Sequence, residues 1–398
     1  MTGAGEPRAQ VTPGWARALR DAGELAPQWE AVFQQVPRHL FLPNLVWPFD
    51  REHGQYGAID RTVSPPDWYR SANADVAIVT QWDDGRHIGL EPGETPTSSS
   101  SEPTLVARML ADLNVRPGQR VLDLGTGTGW TSALLATRLG QESVVGVEVD
   151  PAVAEAARAR LRAAGLAPLI VTGEGDDGWA PGAPYDRLHA AFAVHDIPRA
   201  WVEQTRPGGS IVVPWATPFT HTGAIARLTV HADGSASGTF TRPAEFMLSR
   251  SRRSAWPDHS DYVRPGSWPA DTSESVTALR PQDLWDSPEG TGEFVVGLMV
   301  PRAVHTTGYD AAGTLVAWFY SLNCRSWAVV CFRPEGLGRS EVYQGGGDRR
   351  LWDEVENAYR WWEHRGRPRC RRFGLTVDPG GRATVWLDRP EQPLPIFL

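Results

Sequence analysis

Residues 121–130 read VLDLGTGTGW, an apolar stretch that carries Asp123 and then runs into Gly125, Thr126, Gly127 and Gly129. A buried strand that ends on such a turn presents backbone amides and a helix N-terminus to a ligand. A dinucleotide fingerprint needs a further glycine where this chain has Trp130, so a pyrophosphate is not the expected occupant. An acid beside the turn suits a cationic ligand instead. Nineteen residues past Gly129, Glu148 closes the stretch VVGVE and Val149 follows it. A carboxylate at that strand end can accept both hydroxyls of a ribose. Asp177 and Gly178, in GDDGW, end a third strand and suit the edge of an adenine. Each feature alone reads as a capped turn of an ordinary α/β fold. In this order they point to S-adenosylmethionine, a nucleoside with a sulfonium and an amino group.

Those side chains need a parallel sheet to hold them. PTLVARMLADLNV has apolar residues at helical spacing, with Glu102 and Pro103 in its first turn. WTSALLATRLG is a helix stopped by Gly140, and PAVAEAARARLRAAG is a second, between Pro151 and Gly165. Strands over PLIVTGEG, YDRLHAAFAV and GGSIVVPW follow, with a helix over PRAWVEQTRP. Strands alternating with helices predict an α/β, Rossmann-like fold with a parallel sheet covered on both faces. GAIARLTVHADGSASGTFT alternates with period two about Asp233-Gly234 and predicts a late antiparallel hairpin in the same sheet.

Upstream, short helices are expected near Trp15 and over Trp29 to Phe33, and VPRHLFLPNLVWPF reads as an arm packed on a domain surface. Residues 50–95 read as two short strands about the Asp84-Gly85 turn. Past residue 250 the texture changes to a polar, Pro-rich connection, then three strand-like runs, the last of them a hairpin. Among them lies an amphipathic helix with Leu351, Val355, Tyr359 and Trp362 along one stripe. That predicts an extra C-terminal α+β module.

The formal charge is −8 over 398 residues, which argues against nucleic acid as a partner. No apolar signal segment or membrane span is read, so a soluble, cytoplasmic monomer with no membrane partner is expected. Cys324, Cys331 and Cys370 are too few and too badly spaced for a disulfide framework or a zinc site, so no metal is expected. Eighteen tryptophans run through both halves of the chain; most read as core, and some as the lining of a peptide groove.

The pieces VPRHLFLP, SSSSEP, RVLDLGTGTGW, DGW, APYDRLHAAFAV, IPRAWVEQTRPGGSIVVP and FML together resemble the protein-L-isoaspartate O-methyltransferases. The resemblance implies residues 1–30 as an N-terminal extension and 31–250 as the catalytic domain, with an insertion at about 45–95. Residues 251–398 are then a C-terminal domain for peptide recognition. The family's Q-T-I-S-x-P loop falls on Ser98 to Pro103, with Ser98 in place of the Gln. Ser101 then matches the active-site serine, and the family's cofactor contacts fall on Ser99, Ser100, Ser101, Gly125 to Gly127, Glu148, Asp177 and Gly178. On this reading the serine run is a lid over the methyl donor, and Ser101 donates to the acceptor carboxylate.

The chemistry asks for little else. A carboxylate with a pKa near 4 is about 99.9% ionised at pH 7, so methyl transfer needs alignment and desolvation rather than a general base. His195-Asp196 could touch a substrate at a strand end, and His39 reads as a packing residue. The insertion and the long tail look more like family relatives that serve ribosomally made peptides. Such a relative methylates an ordinary Asp in a constrained precursor. The next backbone amide then displaces methanol and leaves an aspartimide. The alternatives are isoaspartyl repair of damaged proteins, another methyl acceptor, or a non-catalytic binding module on the same fold. Trp318, Trp327, Trp352, Trp361 and Trp362, close to RGRPRCRR, are the expected recognition surface for a precursor.

Overall fold

VLDL and VVGVE are buried at every residue, the pattern of strands covered on both faces. In the computed structural model they are the centre of a parallel sheet. The structure describes residues 14–253, 258–266, 269, 272–287, 290–333 and 338–397. The chain packs as two units, Met1–Ala191 with Ala200–Val212, and Phe192–Arg199 with Val213–Leu398.

The first unit opens with helices α1 (Gly14–Asp21) and α2 (Pro27–Gln35). Strand β1 (Leu45–Asp50) pairs with short strands β2 (Gln55–Tyr56) and β3 (Ile59–Asp60). Helix α3 (Pro65–Ala72) leads to β4 (Ile78–Trp82), which lies antiparallel between β1 and β5 (Pro96–Ser100). The second strand of the expected hairpin is therefore not IGLEPGE. It is the serine run itself.

Helix α4 (Pro103–Leu113), β6 (Val121–Leu124), α5 (Trp130–Leu139), β7 (Val144–Glu148), α6 (Pro151–Ala163), β8 (Leu169–Thr172), β9 (Tyr185–Ala190), α7 (Arg199–Gln204) and β10 (Thr205–Thr217) follow. Strands β10, β9, β6, β7 and β8 lie side by side in that order, all parallel. The order reverses at β6, and a ligand crevice forms outside the carboxyl ends of the strands at such a switch. Helix α6 starts where the sequence says it should. Asp150 caps it, its Oδ1 accepting from the amides of Ala152 and Val153 at 2.9 and 3.1 Å, and Pro151 takes the first helical position.

In the second unit, β10 runs on into β11 (Thr220–Val230) and β12 (Ala236–Ala244), the expected late hairpin. After α8 (His259–Tyr262), β13 (Ser273–Thr277), α9 (Pro281–Trp285) and α10 (Thr291–Met299) come β14 (Ala303–Tyr309), β15 (Leu315–Ser321), β16 (Trp327–Phe332) and β17 (Ser340–Gly345). These form a sheet in the order β13-β17-β16-β15-β14. Helix α11 (Leu351–His364) precedes a last hairpin, β18 (Phe373–Val377) and β19 (Ala383–Leu387). That hairpin does not stay with the tail's own sheet, because β18 pairs antiparallel with β12. The boundary expected at residue 250 thus falls inside the second unit. Among the described residues no helix is long and apolar enough to cross a membrane, and no acidic, His or Cys group is arranged to hold a metal.

Asp123, on β6, is the polar pin of the first unit. It is fully buried, its Oδ2 accepts from Ser132 Oγ of α5 at 2.5 Å, and its Oδ1 meets His189 Nδ1 of β9 at 2.8 Å. Two strands and a helix are tied by one carboxylate. Asp123→Ala should therefore cost on the order of 3 kcal/mol, because it leaves two buried polar partners unpaired. Guanidinium unfolding of the variant against the parent checks this, and an unchanged midpoint would deny Asp123 that role.

Candidate active site

The turn after β6 is built around the end of β7. The amides of Gly125 and Thr126 both donate to Val147 O, at 2.8 and 3.1 Å, and the amide of Gly127 donates to Glu148 Oε2 at 2.8 Å. These three amides do not face a ligand, as the glycine pattern had suggested; the neighbouring strand end consumes them. Gly127 sits at φ +54°, and a Cβ there would meet Ser99 O at 3.5 Å. Gly129, at φ +92°, brings the start of α5 against α6, where a Cβ would touch Ala157 at 3.4 Å. Both positions need glycine, one beside the serine strand and one between two helices.

Glu148 is 7% exposed. Its Oε2 accepts from Gly127, and its Oε1 accepts from the amide of Asp150 at 3.1 Å. Both oxygens are thus held by backbone amides at the end of β7, the position read for the ribose contact. Val149 is partly exposed in the bend between Glu148 and the α6 cap. Asp177 is exposed at the end of a short turn after β8, and Gly178 is buried at φ +62°. Gln204 closes that turn, donating to Asp177 O at 2.7 Å and accepting from the Trp179 amide at 2.7 Å. Asp123 does not join the site. Both its oxygens are spent inside the core, so the acid beside the turn braces the loop rather than meeting a ligand.

The serine run is sorted by the two-residue period of a strand. Ser98 and Ser100 are 7% and 3% exposed. Ser98 Oγ accepts from Thr80 at 3.2 Å, and Ser100 Oγ accepts from Arg38 Nε at 2.8 Å. Ser99 and Ser101 are partly exposed and make no side-chain hydrogen bond among the described residues. Ser100, expected as a ligand contact, is thus a structural anchor; Ser99 and Ser101 keep their hydroxyls available. The lid reading gives way to a strand wall.

Arg38 is the residue that sequence reading missed. It lies in the arm, 4% exposed, and its guanidinium also donates to the carbonyls of Ala74, Val76 and Ser100 at 3.3, 2.9 and 2.7 Å. Burial pushes its pKa down to about 9 against the raising effect of Asp75 and Glu102, so it stays cationic at neutral pH. It also lies 5.8 Å from the ring of Trp130, whose indole donates to Val36 O at 2.9 Å. The signal was a charged residue amid large apolar ones. The arm, the serine strand and the first turn of α5 are thereby one assembly.

His195 and Asp196 belong to the second unit and do not act on each other. His195 Nδ1 bonds Ala216 O at 2.9 Å, and Asp196 lies 3.7 Å from Arg252. His39 packs its ring edge on Tyr69. Of the five tail tryptophans, Trp327, Trp352 and Trp362 are core residues at 3%, 1% and 2% exposure. Trp361 lies under the Arg365 guanidinium at 4.6 Å. Arg367 and Arg372 are paired with Glu363 and Asp388, so much of the expected recognition surface is internally satisfied.

Residues 80–249 match the family model described as protein-L-isoaspartate(D-aspartate) O-methyltransferase. A protein-L-isoaspartate O-methyltransferase of Archaeoglobus fulgidus is 34% identical over half of this chain and 76% of its own length. One from Methylorubrum populi is 42% identical over 32% of this chain, and the chain spans 59% of that relative's length. A solved structure titled protein-L-isoaspartate O-methyltransferase has a TM-score of 0.53 at 20% identity, over 95% of this chain and all of that one. The fold is the Rossmann-like α/β fold of S-adenosylmethionine-dependent methyltransferases, with additional sheets in the C-terminal region.

Glu148→Ala should weaken S-adenosylmethionine binding by roughly 1.5–3 kcal/mol, the worth of hydrogen bonds to a charged group, while the buried strand under it keeps the fold. Calorimetry measures this, and an unchanged affinity would remove Glu148 from the site.

Proposed function

We propose that this chain, which belongs to the protein-L-isoaspartate O-methyltransferase family, is an S-adenosylmethionine-dependent carboxyl O-methyltransferase. Its acceptor is the free α-carboxylate of an isoaspartyl residue in a polypeptide. The observation that carries this is Glu148, a buried carboxylate held by the Gly127 and Asp150 amides at the end of β7, beside the β6 switch point. The available hydroxyls of Ser99 and Ser101 support it from the neighbouring strand. When bound, S-adenosylmethionine supplies a methyl group made electrophilic by the sulfonium.

The chain's own residues bind and align. Glu148 would hold the ribose, Asp177 and Gly178 the adenine edge, and Ser99 the cofactor beside Gly127. Ser101 would donate to one oxygen of the acceptor carboxylate while the other oxygen takes the methyl, giving a methyl ester. No base is needed, because the acceptor is already ionised at neutral pH. The partner is a polypeptide rather than nucleic acid or membrane, in keeping with the net charge of −8.

A second reading places the acceptor in a ribosomally made, constrained precursor, where the ester goes on to an aspartimide. Residues 250–398 lie outside the family match, and β13 to β17 within them form a separate sheet, which offers surface beyond what local recognition of one residue requires. Of the five tail tryptophans read as a recognition surface, Trp318 and Trp361 are partly exposed.

Two assays test these readings. Methyl transfer to an isoaspartyl peptide, run beside the same peptide with ordinary Asp and a cyclised Asp precursor, should favour the isoaspartyl acceptor. Turnover confined to the cyclised precursor would select the second reading. Ser101→Ala should lower turnover about 10²-fold with cofactor affinity held within a few-fold, and equal rates would return Ser101 to a purely structural position.

A further inference from the structure

Behind the serine strand the first unit contains an open cavity of about 200 Å³ that the methyl-transfer reading does not use. Thr80 and Gln81 of β4, Ser98 of β5, Thr128 of the glycine turn and Arg160 of α6 line it. Arg160 differs from Arg158 and Arg187 of this unit. Arg158 donates to Ile170 O and Thr172 Oγ1, and Arg187 to the carbonyls of Leu113 and Asp186. Arg160 makes no side-chain hydrogen bond and no ion pair among the described residues. Burial alone lowers its pKa; no carboxylate offsets the effect. A half-buried guanidinium with no protein partner keeps its donors for a ligand.

The other polar groups fit one kind of occupant. Thr128 is 5% exposed and its hydroxyl has no partner among the described residues. Ser98 Oγ accepts from Thr80, so its own proton remains to donate. Gln81 is turned the other way, its Nε2 donating to Asp150 Oδ2 at 2.9 Å and its Oε1 accepting from Thr97 at 2.8 Å. The cavity thus brings together one cation and hydroxyl donors, a set matched to a single negative charge. A dianion such as phosphate would find one arginine and, a residue away, the carboxylate of Asp150. A carboxylate is the better match, and the planar fork of an arginine binds it with two parallel bonds.

We propose that this cavity is a carboxylate-binding subsite, in which Arg160, Thr128 and Ser98 hold an acidic side chain of the substrate polypeptide on the face of the serine strand opposite Ser99 and Ser101. Ser98 immediately precedes Ser99 on the strand, and Thr128 lies between Gly127 and Gly129 of the turn. The subsite is therefore built on the same strand and turn as the reaction site, and as a substrate subsite it rests on the carboxyl-methylation reading. It gives the enzyme a preference for sequence context in addition to the accepting residue.

The test uses isoaspartyl peptides in which one Glu is moved through the positions either side of the acceptor, each against a Gln control. Binding in the presence of S-adenosylhomocysteine is measured by calorimetry and KM by turnover, for the full-length parent and for Arg160→Gln. One Glu position should bind about tenfold tighter than its Gln control to the parent and show a correspondingly lower KM. Arg160→Gln should bind both peptides alike, and Arg160→Lys, which keeps the charge but not the fork, should fall between. Equal binding of Glu and Gln peptides by the parent at every position would overturn the subsite. So would a preference that survives in a folded Arg160→Gln chain. The binding arm does not need turnover: peptides that bind with the Glu preference but are never methylated would uphold the subsite and sink the methylation reading.

Discussion

One carboxylate holds the centre of the first unit together. Glu148 takes the amide of Gly127 on one oxygen and that of Asp150 on the other, so it fixes the turn after β6 and the start of α6 at once. The Gly125 and Thr126 amides bond Val147 O and hold the turn to β7 through the backbone. The carboxylate adds the next links, to Gly127 at the tip of the turn and to Asp150 at the cap of α6. The proposed contact with a ribose uses the same group, so binding and architecture are joined at one residue.

Around this junction the packing is organised to keep the turn still. Asp123 ties β6 to β9 and α5 from inside the core, while Arg38 ties the arm to the serine strand from the other side. Trp130 stands where a dinucleotide site would have glycine. It is buried, packs on Phe33 at 5.8 Å and donates to Val36 O. The bulky residue that argues against a pyrophosphate thus also anchors the N-terminal arm. A methyl transfer that needs no base depends on such rigidity, because alignment is most of what the protein contributes.

Much of this was legible from the chain. The parallel core announced itself through fully apolar strands and capped helices, and the glycine, Glu148 and Asp177 order located the crevice. What escaped had physical reasons. Four serines in a row carry no hydropathy alternation, so neither their strand character nor their sorting into an anchored pair and an available pair could be seen. Asp123 looked like a ligand contact because an acid beside a glycine turn has two uses, and only the positions of Ser132 and His189 choose between them. The pairing of β18 with β12 joins segments more than 100 residues apart in the chain, which local pattern cannot reveal. Tryptophans and arginines in the tail read as a recognition surface until their neighbours, Glu363 and Asp388 among them, were in place.

The central claim is that Glu148 serves the turn and the nucleoside together. A crystal structure of the full chain with S-adenosylhomocysteine tests it directly through the distances from the Glu148 carboxylate. The account predicts both ribose hydroxyls within hydrogen-bonding distance of Glu148 while the Gly127 amide remains bonded to it. A nucleoside bound with its ribose away from Glu148, or a carboxylate that must abandon Gly127 to reach it, would contradict the account.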